Sequence, residues 1–169
     1  LVALAEAVWG QTVLAVRATS AYAGIVTVAL SYVVGRQLFG PSMGLAAAAL
    51  MAFSRWDISF SRIGMQGEST PLFTVAVFGL TVLALRNGYA GAYAGLGLVL
   101  GASLWFYGAN VFFLPVVAAG LAVVMAQHRA YLRRHASGLG LALGGMLLVA
   151  APVFADAIAR PQVVFNRAE

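Results

Sequence analysis

Long apolar runs alternate with short polar segments along most of this chain. An ionised side chain at the centre of a bilayer costs roughly 2.5–3.5 kcal/mol, so charges are expected at the ends of membrane spans. The runs at residues 18–35 and 37–54 each hold 18 residues without a charge. At a rise of 1.5 Å per residue, such a run forms a helix of about 27 Å, close to the ~30 Å hydrocarbon core. The pattern therefore predicts membrane-spanning helices.

Turn-forming residues refine the bounds of these helices. Gly40 and Pro41 predict a turn with proline at the first position of a new helix. Thr70 followed by Pro71 predicts another helix start, with Thr70 as its N-cap.

The longest interval, residues 87–128, holds 42 residues without a charge. As one helix it would reach about 63 Å, twice the bilayer core, so we expect it to fold back near residues 107–110. Residues 1–16 predict a short interfacial helix. The predicted spans cover residues 18–35, 41–56, 69–86, 90–107, 111–127 and 136–155. The predicted fold is an all-α, polytopic membrane bundle of about six transmembrane helices plus that interfacial helix.

Composition agrees with a membrane protein. Hydrophobic residues make up 62% of the 169 residues and charged residues only 9%, against about 25% charged in soluble domains. This excludes a disordered chain and argues against a soluble enzyme, because so few charges do not cover a globular surface. We expect residues 1–169 to form a single transmembrane domain and to be a fragment of a longer polytopic protein.

The charges divide unequally between the two sides of the predicted bundle. One side receives five Arg and no acid: Arg36, Arg86, Arg129, Arg133 and Arg134. The other receives five Arg and all five acids: Arg17, Arg55, Arg62, Arg160, Arg167, Glu6, Asp57, Glu68, Asp156 and Glu169. The dense basic loop at residues 128–135 predicts that the first side is cytoplasmic and that both termini lie outside. Acid–base or phosphate chemistry is therefore expected on the outer face.

Several segments together resemble the membrane glycosyltransferases of the GT-C superfamily. The matching runs are YVVGRQLFG (32–40), FSRWDISFSRIGMQGESTPLF (53–73), GLGLVLGASLWFYGANVFFLP (95–115) and AAPVFADAIARPQVVFNRAE (150–169). The chain is most similar to the family 39, protein-mannosyltransferase-like and aminoarabinose-transferase-like bacterial branch.

The resemblance implies a hexosyl or pentosyl transferase of the bacterial cell envelope. Such an enzyme moves a sugar from a polyprenyl-phosphate-linked lipid donor to a lipid, glycan or protein acceptor at the outer face of the plasma membrane. The family's essential acid lies in the first outward loop, which we expect upstream of Leu1. The fragment alone is therefore expected to be inactive.

Candidate site residues cluster in the polar segment 54–68. Arg62, in the FSRIG run, is expected to contact the lipid-linked phosphate because its planar fork donates two hydrogen bonds, and Arg55 is a second candidate. The alternative is that these side chains reach lipid headgroups or pair with Asp57. Glu68 either stabilises a helix N-terminus or lines the outward cavity as the candidate catalytic acid. In that second role it would order the acceptor or a divalent metal, the one cofactor left open.

A second cluster lies at the outward turn near residue 110. Tyr107 and Asn110, beside Trp105, are candidates to hold a sugar by stacking and hydrogen bonding, although a Gly-Ala-Asn turn needs no function to explain it. Arg160 and Arg167 are either plain loop charges or part of a lid over the substrate.

Other features predict structure rather than chemistry. Glycines four residues apart predict helix–helix contacts: Gly91/Gly95, Gly97/Gly101 and Gly140/Gly144. His128 and His135 are expected to face lipid headgroups, and the basic loop around them favours a membrane surface over nucleic acid. A transporter or permease fragment is the alternative function. The absence of charges within the spans argues against it, because transporters place ionisable groups near the midplane.

Overall fold

The structure is a computed structural model, and it describes residues 13–55, 59, 69–106, 108–127 and 129–159. These ranges contain α-helices and no β-strand, which confirms the predicted helical membrane bundle. The helices are α1 Val13–Phe39, α2 Pro41–Ala52, α3 Ser69–Asn87, α4 Ala90–Phe106, α5 Phe113–Gln127 and α6 Arg129–Ala159, with a 3-10 turn at Gly108–Phe112.

The six helices follow the order of the six predicted spans. Within the described residues, three segments are long and apolar enough to cross a membrane: Arg17–Phe39, Ser69–Asn87 and His135–Ala155. Three others are apolar but shorter: Pro41–Ala52, Ala90–Phe106 and Asn110–Val124. Three of the six predicted spans therefore contain a described helical segment that is, by length and composition, able to cross a membrane.

Three local predictions differ from the structure. α1 is already helical at Val13, so residues 13–16 of the predicted interfacial helix belong to α1, while residues 1–12 lie outside the described residues. α6 begins at Arg129, so most of the predicted loop 128–135 is helical. α3 begins at Ser69, so Thr70 lies within the helix and is not its N-cap.

The chain divides into two compact units, Leu1–Gly79 and Leu80–Glu169, and the boundary falls within α3. Each unit is described by itself below. The single domain over residues 1–169 stays a prediction.

In the first unit, α1 and α2 form a tight helical hairpin. Gly40 alone connects them, with φ +96°, a conformation that glycine adopts without strain. Pro41 then occupies the first turn of α2, as predicted. At the contact, a Cβ on Gly44 would lie 2.8 Å from both the Tyr32 carbonyl oxygen and the Arg36 nitrogen. Glycine at position 44 therefore lets the two backbones touch.

The buried hydroxyl groups of α1 are satisfied by their own helix. Thr27 Oγ1 donates to the Ala23 carbonyl and Ser31 Oγ donates to the Thr27 carbonyl, each at 2.8 Å. Both side chains are buried. Such back-bonding lets a membrane helix bury hydroxyl groups without a partner from another helix.

In the second unit, α4 and α6 pack in parallel with their backbones in contact. A Cβ on Gly97 would collide with the carbonyl oxygen of Ala142. One turn further, a Cβ on Gly101 would lie 2.8 Å from the carbonyl oxygen of Met146. The predicted helix contact through Gly97 and Gly101 is confirmed, since increasing numbers on α4 meet increasing numbers on α6.

The predicted contact through Gly140 and Gly144 is not found in the described part of the chain. A Cβ added at either position meets no described atom within 4 Å. α6 instead turns Gly138, Ala142 and Gly145 towards α4, and Gly138 lies against the ring of Tyr93. Gly95 faces Leu80 of α3 at 3.4 Å, and Gly91 faces the ring of Tyr89.

The contrast between two glycines gives a matched test of this packing. We expect Gly97→Ala to destabilise the protein by roughly 1–3 kcal/mol, because the methyl group forces the helices apart. Gly140→Ala, which adds the same methyl group into open space, is expected to be neutral or slightly stabilising, because alanine favours helix over glycine. Thermal unfolding in detergent measures both, and equal losses for the two variants would contradict the packing described here.

Candidate functional site

Two of the eight predicted site residues have described side chains. Arg55, just beyond α2, is exposed, and Asn110 lies in the 3-10 turn. The other six lie outside the residues whose side chains the structure describes: Asp57, Arg62, Glu68, Tyr107, Arg160 and Arg167. The described part of the candidate site therefore centres on the turn that carries Asn110.

Asn110 is fully buried and closes the end of α4. Its Nδ2 donates a hydrogen bond of 2.9 Å to the carbonyl oxygen of Ser103. Ser103 lies in the last turn of α4, which ends at Phe106, where the helix's own hydrogen bonding runs out. The amide of Asn110 gives the Ser103 carbonyl a side-chain donor at this end. The predicted break in the long apolar interval is thus fixed by a side-chain cap.

The other half of the same amide has no partner among the described residues. Asn110 Oδ1 is buried and accepts no hydrogen bond within the described part of the chain. The nearby hydroxyl of Ser103 does not supply one, because it donates to the Leu100 carbonyl at 2.7 Å. An unpaired buried acceptor costs about 1–3 kcal/mol. This oxygen therefore lacks the donor that a buried acceptor needs.

Aromatic side chains lie exposed beside this turn. Trp105, in the last turn of α4, is 57% exposed, yet its Nε1 donates to the carbonyl oxygen of Val149 on α6 at 2.8 Å. Phe112 at the end of the 3-10 turn is also largely exposed. A fixed indole ring with an accessible face, close in sequence to a buried amide oxygen, is an arrangement suited to a polar ring with apolar faces such as a sugar.

The opposite end of the second unit holds a small cavity of about 250 Å³. At its wall the Tyr93 hydroxyl and His135 Nδ1 are hydrogen-bonded, 2.5 Å apart. Gly88, in the turn before α4, has φ +62° and lies close to the same imidazole. The remaining lining residues are Ala90, Ser137, Gly138 and Leu141.

The predicted headgroup-facing position of His135 is wrong, because this side chain is only 5% exposed. Its partner Tyr93 lies 42 positions away on another helix. No local pattern in the sequence indicates that pairing. His135 does, however, lie at helical spacing from Gly138 and Ala142, which places it on the same packed face of α6.

Because α4 and α6 run parallel, their starts lie at one end of the second unit and their ends lie at the other. The Gly88 turn lies with the start of α6, and the Asn110 turn lies with the end of α6 at Ala159. The predicted grouping of residues 107–110 with the segment after α6 stays a prediction, because residue 107 and residues 160–169 lie outside the described residues. Which end faces outward stays a prediction.

Among the described residues, no group of three or more His, Cys, Asp or Glu is placed to hold a metal ion. Glu68, the residue for which a divalent metal was left open, lies outside those residues.

Comparison with known proteins gives one match. A family model described as dolichyl-phosphate-mannose-protein mannosyltransferase matches residues 1–155, which is all but the last 14 residues. No curated protein and no solved structure matches the chain. Nothing in the match or in the described residues supports the transporter alternative.

The capping role of Asn110 is tested by Asn110→Leu. The substitution keeps a similar volume but removes the amide N–H that donates to the carbonyl of the buried Ser103. We expect a loss of about 1–3 kcal/mol in stability, seen as a lower unfolding midpoint in detergent. Asn87→Leu, at the exposed end of α3, serves as the control and is expected to stay within ~0.5 kcal/mol of the parent. Matching midpoints for both variants would rule out the cap.

Proposed function

We propose, because this chain belongs to the dolichyl-phosphate-mannose-protein mannosyltransferase family, that it transfers a sugar from a polyprenyl-phosphate-linked donor. The acceptor is a lipid, glycan or protein group at the outer face of the membrane. Family membership makes the protein a membrane glycosyltransferase of the GT-C type. The predicted superfamily is thereby confirmed, while the family 39 and aminoarabinose-transferase-like branch, and a hexosyl or pentosyl preference, stay predictions.

The buried, unpaired Oδ1 of Asn110 is the observation that carries the proposal for sugar recognition. A hydrogen bond from a sugar hydroxyl to a buried acceptor is stronger than the same bond in water, because little water competes for the acceptor. The exposed face of Trp105, fixed through its Nε1, offers a surface on which the sugar ring packs. Tyr107, between them in sequence, is proposed to complete this surface.

Arginine side chains are proposed to bind the donor's phosphate. Arg62 is the main candidate and Arg55 the second, since guanidinium groups form paired, charge-assisted hydrogen bonds with phosphate oxygens. Asp57 would orient Arg55 as its ion-pair partner. Arg160 and Arg167, which follow α6, would close over the bound donor.

In the proposed reaction, the acceptor's oxygen attacks the anomeric carbon of the sugar. The bond between that carbon and the polyprenyl phosphate breaks, and the phosphate leaves with the electron pair. The arginines stabilise the negative charge that develops on the leaving phosphate. A carboxylate takes the acceptor's proton, and Glu68 is the candidate for this role within the chain.

We expect the transfer reaction to depend strongly on Arg62. The assay uses the full-length protein in proteoliposomes, with a radiolabelled sugar on either a polyprenyl monophosphate or a nucleotide. Transfer is expected from the polyprenyl donor alone. Arg62→Ala is expected to reduce kcat/KM by about a hundredfold, the scale of losing a charged transition-state contact, and Arg62→Lys to recover part of it.

Arg86→Ala is the matched control, because Arg86 is an exposed arginine at the end of α3 and belongs to the opposite predicted side. Its turnover is expected to equal that of the parent. Unchanged turnover in Arg62→Ala would remove Arg62 from the site, and transfer from a nucleotide sugar alone would refute the proposed donor.

The proposed orientation places the Asn110 turn outside and the Gly88 turn in the cytoplasm. The chain has no cysteine, so single cysteines report accessibility directly. Tyr89→Cys and Phe112→Cys replace exposed aromatic residues at the two turns. In intact cells, a membrane-impermeant maleimide is expected to label the cysteine at 112 and to spare the one at 89 until the cells are lysed. The reverse labelling would invert the topology.

A further inference from the structure

A second polar site lies at the end of the second unit that carries the Gly88 turn. The cavity of about 250 Å³ between that turn, the start of α4 and α6 is lined by Tyr93 and His135, which are only 1% and 5% exposed. Ser137 adds a hydroxyl group to the lining from an exposed position on α6. Three side chains that form hydrogen bonds therefore meet at one cavity.

Packing holds the polar groups of this cavity in place. The Tyr93 hydroxyl and His135 Nδ1 are hydrogen-bonded to each other, and a Cβ on Gly138 would collide with the Tyr93 ring. On the other side of the imidazole, a Cβ on Gly88 would lie 3.6 Å from His135 Cε1. Side chains that are already fixed lose little conformational freedom when a ligand binds, which favours binding.

The chain around this cavity is basic and free of acids. Residues 69–155 contain no Asp or Glu. Four arginines flank the cavity along the chain: Arg86 in the last turn of α3 and Arg129, Arg133 and Arg134 in the first two turns of α6. Positive charge at this end of the unit attracts anions. Basic pockets between membrane helices are typical binding sites for acidic lipid headgroups.

The position of the cavity along α6 suits a ligand with a polar group and an apolar tail. The segment of α6 that is able to cross a membrane begins at His135, so this residue lies near the membrane surface. Leu141 also lines the cavity and is 45% exposed. It lies about 9 Å further along the helix, at a rise of 1.5 Å per residue. The lining therefore changes from polar near the surface to apolar further in, as a phospholipid does.

We propose that this cavity binds the phosphate group of an anionic phospholipid. The Tyr93–His135 pair and the Ser137 hydroxyl form charge-assisted hydrogen bonds with the phosphate oxygens, and Leu141 contacts the start of the acyl chains. The bound lipid would join the Gly88 turn to α6 at the membrane surface. The cavity lies at the opposite end of the unit from the Asn110 turn, so this proposal does not rest on the proposed function.

The ligand is identified by lipid titration of the full-length protein in detergent, with native mass spectrometry to measure bound lipid. Dioctanoyl phosphatidic acid is expected to bind about tenfold more tightly than dioctanoylglycerol, which lacks the phosphate. Inorganic phosphate at the same concentration is expected not to displace the lipid. Equal binding of the two lipids would overturn the role of the phosphate, and displacement by inorganic phosphate would show that the cavity takes free phosphate instead of a lipid.

The location is tested by two variants that add the same ring at neighbouring exposed positions. Ser137→Phe fills the cavity and is expected to weaken binding of dioctanoyl phosphatidic acid about tenfold, because the ring occupies the space of the headgroup. Ala136→Phe is the control, since Ala136 is not a lining residue, and is expected to bind as the parent does. Unfolding midpoints without lipid check that both variants fold. Unchanged affinity in Ser137→Phe, or equal losses in the two variants, would overturn the proposal.

The buried pair is tested by Tyr93→Phe, which keeps the ring packed on Gly138 and removes only the hydroxyl. Its affinity for dioctanoyl phosphatidic acid is expected to fall about tenfold, the scale of one hydrogen bond to a charged group. Its affinity for dioctanoylglycerol is expected to stay unchanged, a difference that a general loss of stability does not produce. Equal effects on both lipids would remove Tyr93 from the site. These measurements need no sugar transfer, so they decide the lipid site whether or not the proposed function holds.

Discussion

The backbone contact of α4 and α6 at Gly97 is the constraint on which the second unit depends. Lipid provides no hydrophobic drive for helices to associate, so they are held by close van der Waals contact and by hydrogen bonds. Glycine at 97 lets the Ala142 carbonyl approach to a distance that any side chain would prevent. That contact sets the register of the pair. It brings Tyr93 to His135 at one end and Trp105 to Val149 at the other.

Hydrogen bonding at helix ends is the second requirement of an apolar environment, and here it shapes the candidate site. α4 ends at Phe106 within the long apolar interval, and its Ser103 carbonyl accepts a hydrogen bond from Asn110. The same amide retains one buried oxygen without a partner. The amide group that donates to Ser103 thus holds in place an acceptor that has no partner among the described residues. The proposed sugar recognition and the closure of α4 would then depend on one side chain.

The starts of helices could be predicted from the sequence, but helix faces could be predicted only in part. Charges and the Gly40-Pro41 pair located the starts of α2 and α3 within a residue, because ionised groups and turns are confined to helix ends. The faces failed at Gly140, Gly144 and His135. A helix that is apolar all round carries no stripe to reveal its packed side. The packed side of such a helix is set by a close backbone contact such as that at Gly97.

The same limit explains what could be predicted of the site. The position of Asn110 at a turn followed from the length of the apolar interval, since 42 uncharged residues must fold back. Its bond to Ser103 did not, because capping depends on where α4 ends. Variants of Asn110 therefore have to be interpreted separately for the donor and for the acceptor of its amide. Loss of the amide's donor weakens the turn, whereas loss of its acceptor removes only the proposed ligand contact. Reduced transfer therefore indicates sugar recognition only in a variant that still caps Ser103.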